Sequence, residues 1–147
     1  APGLWHPTLR NVLAWNVNAI VAAEGDPGDV VTAENVTAHN CGSLTEDTTG
    51  TIYLFNCLFV NVTNYLCLNN FTNNCAFLTS DAGIFQVVGG GSHYLAPNSP
   101  YRNAGTTNIS GQTLASLRSR TTYPPFPFVP RKTPSGRVQL PRSISRL

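Results

Sequence analysis

Carboxylates in two loops, a tryptophan and a histidine at matching places in a repeat, and one glycine-flanked serine are the groups here with chemistry to offer. Glu24, Asp26 and Asp29 fall close together, Glu46 and Asp47 are adjacent, and Asp81 follows later. Oxygen ligands gathered in this way suit a hard cation, which makes Glu24, Asp26 and Asp29 candidate Ca²⁺ ligands. A carboxylate pair can instead act as acid and base in glycoside hydrolysis, because proximity drives the two pKa values apart. Glu46 and Asp47 are the candidates for that work, with His39 as a general base beside Asp47. Trp15 offers a flat ring on which a substrate can lie. A plainer reading competes: acidic residues keep exposed loops solvated, and Glu24–Asp29 lacks EF-hand spacing.

Other signatures are weaker. There is no Gly-x-Ser-x-Gly elbow, and Ser92, between Gly91 and His93, reads as serving the backbone of a glycine-rich turn. Gly89, Gly90 and Gly91 lack the Lys-Ser/Thr that a phosphate loop requires. Cys41, Cys57, Cys67 and Cys75 form no Cys-x-x-Cys pair and read as buried thiols acting as small hydrophobes. The chain is basic from Arg118 onward, but no interleaved aromatics or motif accompany those charges, so no specific nucleic-acid partner is expected. No stretch reaches the roughly eighteen apolar residues of a membrane span.

The elements that must position these groups come from a repeat. Four segments share the pattern Asn, small apolar, variable, apolar, variable, Asn or Thr: NVLAWN from Asn11, NVTAHN from Asn35, NCLFVN from Asn56 and NCAFLT from Asn74. Their starts lie 24, 21 and 18 residues apart (35 − 11, 56 − 35, 74 − 56). That is one coil of a solenoid and too short for a βαβ unit of about thirty residues or more. Stacked coils would align Val12, Val36, Cys57 and Cys75 in one inward ladder, and Ala14, Ala38, Phe59 and Phe77 in another. Trp15 and His39 would then sit side by side on the outward face. The flanking asparagines suit corners, since Asn tolerates left-handed backbone and its amide can bond to a stacked copy. They read as structural and carry no catalytic role.

Composition agrees. Only 11% of the residues are charged, fifteen are Asn, one is Lys and none is Met, which leaves little from which to build amphipathic helices. Many short strands with frequent corners are expected. All seven acidic residues lie between Glu24 and Asp81, and eight of nine basic residues lie from Arg102 onward.

The run GGGSHYLAPNSPYRNAG, from Gly89 to Gly105, resembles the closing motif of right-handed parallel β-helix proteins of the pectate-lyase-like superfamily. In that motif a Tyr-x-Leu strand is followed by Ser-Pro and then Ala-Gly, matched here by Tyr94, Leu95 (one place early), Ser99, Pro100, Ala104 and Gly105. The resemblance covers about residues 9–110. It implies an all-β, right-handed parallel β-helix of about four coils, a remote relative of glycosyl hydrolases. Such proteins usually carry more coils and an N-terminal cap. The expected organisation is coils and closing turn over 1–110, a short helix or irregular cap over 111–122, lying on the last coil, and a Pro/Arg-rich tail over 123–147. An uncapped end would favour self-association.

The expected function is that of an extracellular carbohydrate-active protein, in its catalytic form a Ca-dependent hydrolase using the loop carboxylates on a polysaccharide or small-molecule substrate. A non-catalytic surface or carbohydrate-binding module is one alternative. Hydrolysis of small esters or lactones is another, by likeness in size to small metagenome-derived hydrolases of acyl-homoserine lactones. Low charge with abundant Asn and Thr resembles secreted or cell-surface bacterial proteins.

Overall fold

Each asparagine that opens a repeat turns the chain from one sheet into a second. The structure is a computed structural model describing residues 4–22, 26–46, 49–64 and 67–120. Asn11, Asn35, Asn56 and Asn74 have φ of 56°, 52°, 53° and 50°. This left-handed region costs most L-residues about 1–2 kcal/mol, and Asn enters it readily because its short amide bonds locally. Before these corners run β1 (Thr8–Arg10), β4 (Val30–Glu34), β6 (Thr51–Phe55) and β8 (Asn69–Asn73). After them run β2 (Leu13–Trp15), β5 (Thr37–Thr45), β7 (Leu58–Asn64) and β9 (Ala76–Leu78).

Parallel pairing joins the first set in the order β1-β4-β6-β8 and the second in the order β2-β5-β7-β9. The short β3 (Ala19–Val21) pairs further along β5. The result is a parallel β-solenoid of about three turns. The four coils expected are four rungs, and three complete turns join them because the chain leaves the stack after β9. Register follows the repeat: Ala14 faces Ala38, Ala38 faces Phe59, and Phe59 faces Phe77. Asn16, Asn40 and Asn61 form a second left-handed column at φ 53°. There the Asn61 Nδ2 amide donates to Asn40 Oδ1 at 3.1 Å.

Alternating side chains of both sheets fill the core. Val31, Ala33, Ile52 and Leu54 enter from the first sheet, Ala38 and Phe59 from the second, and Val36 and Cys57 from beside the corners. The Phe59 and Phe77 rings stack with centroids 5.3 Å apart and planes 6° apart. Burial on this scale, roughly 25 cal/mol per Å² of apolar surface removed from water, is what stabilises a chain so poor in charge.

The outward face of the second sheet is also apolar, and it is covered. The N-terminal Leu4 is not the cover. An antiparallel hairpin of β10 (Phe85–Val88) and β11 (Gly91–Leu95) supplies it. Leu58, Val60 and Ile84 are buried beneath it with Ala76, Leu78, Phe85, Leu95 and Tyr101. Leu4 instead lies over Gly28. Residues 121–147, which include the expected tail, lie outside the described residues.

The one helix among the described residues, α1 (Gly111–Arg120), begins where the sequence places it but docks elsewhere. The Ser110 hydroxyl caps it by accepting from the Thr113 amide at 3.2 Å. Both Ser110 and Thr113 hydroxyls donate to the buried Glu34 carboxylate at the end of β4, so α1 is fixed to the second rung and not to the last coil. No helix among the described residues is long and apolar enough to cross a membrane.

Candidate functional site

His39 sits on β5 in register with Trp15 on β2, as the repeat spacing requires. An outward-facing histidine on an open sheet would be wet. Here the hairpin folds over it, and only 8% of its surface remains exposed. Phe85 of β10 packs on its ring at 5.0 Å, and His93 of β11 meets it edge-on at 5.2 Å. Burial leaves a polar ring two choices, to find partners or to destabilise the fold. It finds them in a line.

That line has four members. His39 Nδ1 lies 3.0 Å from His93 Nε2, and His93 Nδ1 lies 3.0 Å from Ser92 Oγ. On the other side His39 Nε2 lies 3.4 Å from Asp81 Oδ2. The last contact is within ion-pair reach but poorly aligned, so buried His39 Nε2 makes no hydrogen bond. One proton arrangement satisfies its two hydrogen bonds. With His39 Nε2 protonated toward Asp81, its Nδ1 accepts from His93 Nε2–H, and His93 Nδ1 accepts the Ser92 hydroxyl proton. Burial, and then the charge His39 would carry, lower the His93 pKa from its ordinary 6.5. His93 is therefore neutral at pH 7 and able to take a proton.

The line ends at a cleft. Ser92, His93 and Tyr94 form one wall, Val12, Leu13 and Trp15 another, and the volume is about 570 Å³. That lies within the range of small-molecule sites, roughly 300–1,000 Å³. Ser92 is exposed at its rim, and Trp15, 53% exposed, leans on His93 with ring centroids 5.2 Å apart. The glycine turn sets this geometry: a Cβ at Gly91 would come within 2.5 Å of the Tyr94 ring. A larger side chain at position 91 would push the Tyr94 ring aside and reshape the cleft wall beside Ser92.

Trp15 and His39 are thus brought together, and Asp81 joins them from beyond the fourth repeat. Glu46 is an exposed residue directly after β5, and Glu24 and Asp47 lie outside the described residues. The other acidic candidates serve the backbone. Asp29, 4% exposed, accepts the Trp5 amide at 2.9 Å, and Asp26 accepts the Gly28 amide at 3.0 Å. Among the described residues no group of three or more His, Cys, Asp or Glu is placed to hold a metal.

Sequence reasoning missed Ser92 and His93 as chemistry. Ser92 was expected to serve its turn, yet its hydroxyl is bonded to the neighbouring imidazole. The usable signal was a run of apolar residues, Ile84 to Val88, before a glycine turn, which can return a strand over an apolar sheet face. Compared with family models, curated proteins and solved structures, the chain matches none.

Proposed function

We propose that this protein hydrolyses small esters or lactones in the cleft between β2 and β11. The observation that carries this reading is the hydrogen-bonded line Ser92–His93–His39, with Asp81 within ion-pair reach of His39, ending at a cleft walled by polar and apolar side chains alike. A serine hydroxyl is a weak nucleophile until a positioned base accepts its proton, and the base works best when a third group orients it. Here His93 is the base, His39 holds its far nitrogen, and Asp81 faces the charge that spreads into His39. Ser92 Oγ attacks the carbonyl carbon and its proton passes to His93 Nδ1. His93 then returns the proton to the departing alkoxide, and water releases the acyl group by the same route. The acyl chain lies along Leu13 and Trp15, a fit for a lactone bearing a short acyl arm such as an acyl-homoserine lactone. A glycosidase is supported less well, because Asp26, Asp29 and Glu34 serve backbone and side-chain partners and no described carboxylate lines the cleft.

A second reading has one observation in its favour. The exposed Trp15 ring at the cleft is a shelf for a sugar, which suits a carbohydrate-binding module. A remote kinship with the pectate-lyase-like β-helix proteins, and an extracellular setting, belong with that reading. The parallel solenoid and its asparagine corners support it.

Steady-state hydrolysis of p-nitrophenyl acetate, p-nitrophenyl butyrate and a series of acyl-homoserine lactones separates the two. Turnover is expected for the wild type, with losses of roughly 10²–10⁴-fold in Ser92→Ala and His93→Gln. Equal turnover in Ser92→Ala would remove the nucleophile. No turnover at all, with Trp15 fluorescence responding to oligosaccharide, would favour the binding module.

A further inference from the structure

We infer that Cys57 and Cys75 form a dithiol site, on the opposite edge of the hairpin from Ser92, that reacts with small-molecule disulfides and closes into a Cys57–Cys75 disulfide. Both residues occupy the second position of the repeat, on successive rungs. Their neighbours Leu58 and Ala76 are register partners, and the Ala76 amide donates to the Cys57 carbonyl at 2.9 Å. The two Cα atoms are therefore about one strand spacing, ~4.8 Å, apart. A disulfide needs Cα atoms roughly 4.4–6.8 Å apart, a range that this spacing meets.

Access distinguishes this pair from the other thiols. A pocket of about 310 Å³ is lined by both cysteines, with Asn56, Asn74, Leu95, Tyr101 and Ala104. Cys75 is half-buried there, while Cys57 is buried behind it. Cys41 and Cys67 are buried and do not line the pocket. The Cys41 thiol faces the His39 carbonyl at 3.4 Å.

The two thiols also divide the work. Their mutual interaction holds the Cys75 thiol below its ordinary pKa of 9.0 and pushes the more buried Cys57 above it. Cys75 is the attacking thiolate and Cys57 the resolving thiol. Cys75 sulfur attacks one sulfur of the small disulfide, the S–S bond breaks, and one small thiolate leaves and takes up a proton. Cys57 then gives its proton to solvent and attacks Cys75 sulfur, releasing the second small thiol. Two cysteines are oxidised and one small disulfide is reduced to two thiols.

The test is exposure of the folded full chain at pH 7 to oxidised glutathione, read by intact mass and peptide mapping. The expected product is two hydrogens lighter, with a Cys57–Cys75 crosslinked peptide, and forms roughly tenfold faster than any Cys41 adduct. Cys57→Ser should stall with one glutathione on Cys75. Cys41→Ser should change nothing. A wild-type mixed disulfide on Cys75 that never closes, an unmodified Cys75, or Cys41 reacting as fast as Cys75 would each overturn the inference. Mapping of the wild type alone decides if a serine variant fails to fold.

Discussion

At the scale of residues, the site depends on where a proton can rest. His93 holds its proton less tightly in the fold than in the open chain, because burial and the neighbouring His39 oppose its charge. Two consequences follow with the same sign. The acid limb of the rate profile, set by the free base, should fall at a pH below 6.5 and not at the value of an exposed histidine. The contribution of His93 to stability should be full above pH 6.5 and fade as pH drops toward its lower folded value. A pH–kcat/KM profile on an uncharged ester checks the first. An acid limb at or above 6.5 would mean that His93 is not the base. Trp15 and His39 were legible as a pair because strand register carries one repeat onto the next. Ser92, His93 and Asp81 were not, because nothing in local spacing ties positions 81 and 92–93 to position 39. Only the hairpin folding back joins them.

At the scale of elements, the asparagine corners were the most legible feature, and their dihedrals give the physical reason. Four of them hand the chain from the first sheet to the second within a single left-handed residue. Asn35, between β4 and β5 at φ 52°, tests this. Asn35 also lines the cleft, so the readout is thermal melting and not turnover. Asn35→Ala should destabilise by about 1–2 kcal/mol, while Asn35→Gly, which accepts positive φ, should cost clearly less. Equal losses would show that the amide's bonds matter and the backbone conformation does not. The strands of the first sheet were harder to see. Runs such as VVTAE and TIYLF carry mixed patterns, and the repeat is anchored on the asparagine that follows them. The helix was visible in sequence, but its dock was not. Glu34 and α1 are 76 residues apart at the Ser110 contact, and no local rule pairs them. Burial works against the Glu34 charge, yet the Thr113 and Ser110 hydroxyls and Arg10 hold its carboxyl below the ordinary range.

At the scale of the whole molecule, a solenoid face too apolar for water obtained its cover from the segment that follows the last rung. That segment does two things in one chain direction. It buries Leu58 and Val60, and it carries Ser92 and His93 to the edge where Trp15 remains open. The proposed site lies where hairpin and sheet meet, while Glu24 and Asp47, two of the loop carboxylates expected to gather, lie outside the described residues. Its central element is a serine whose proton has somewhere to go. Reaction of the folded chain with a fluorophosphonate, followed by peptide mapping, tests this most directly. The expected result is a single phosphonyl adduct on Ser92, lost in Ser92→Ala and strongly slowed in His93→Gln. A chain that stays unlabelled at Ser92 while hydrolysing esters, or labels as fast without His93, would contradict it.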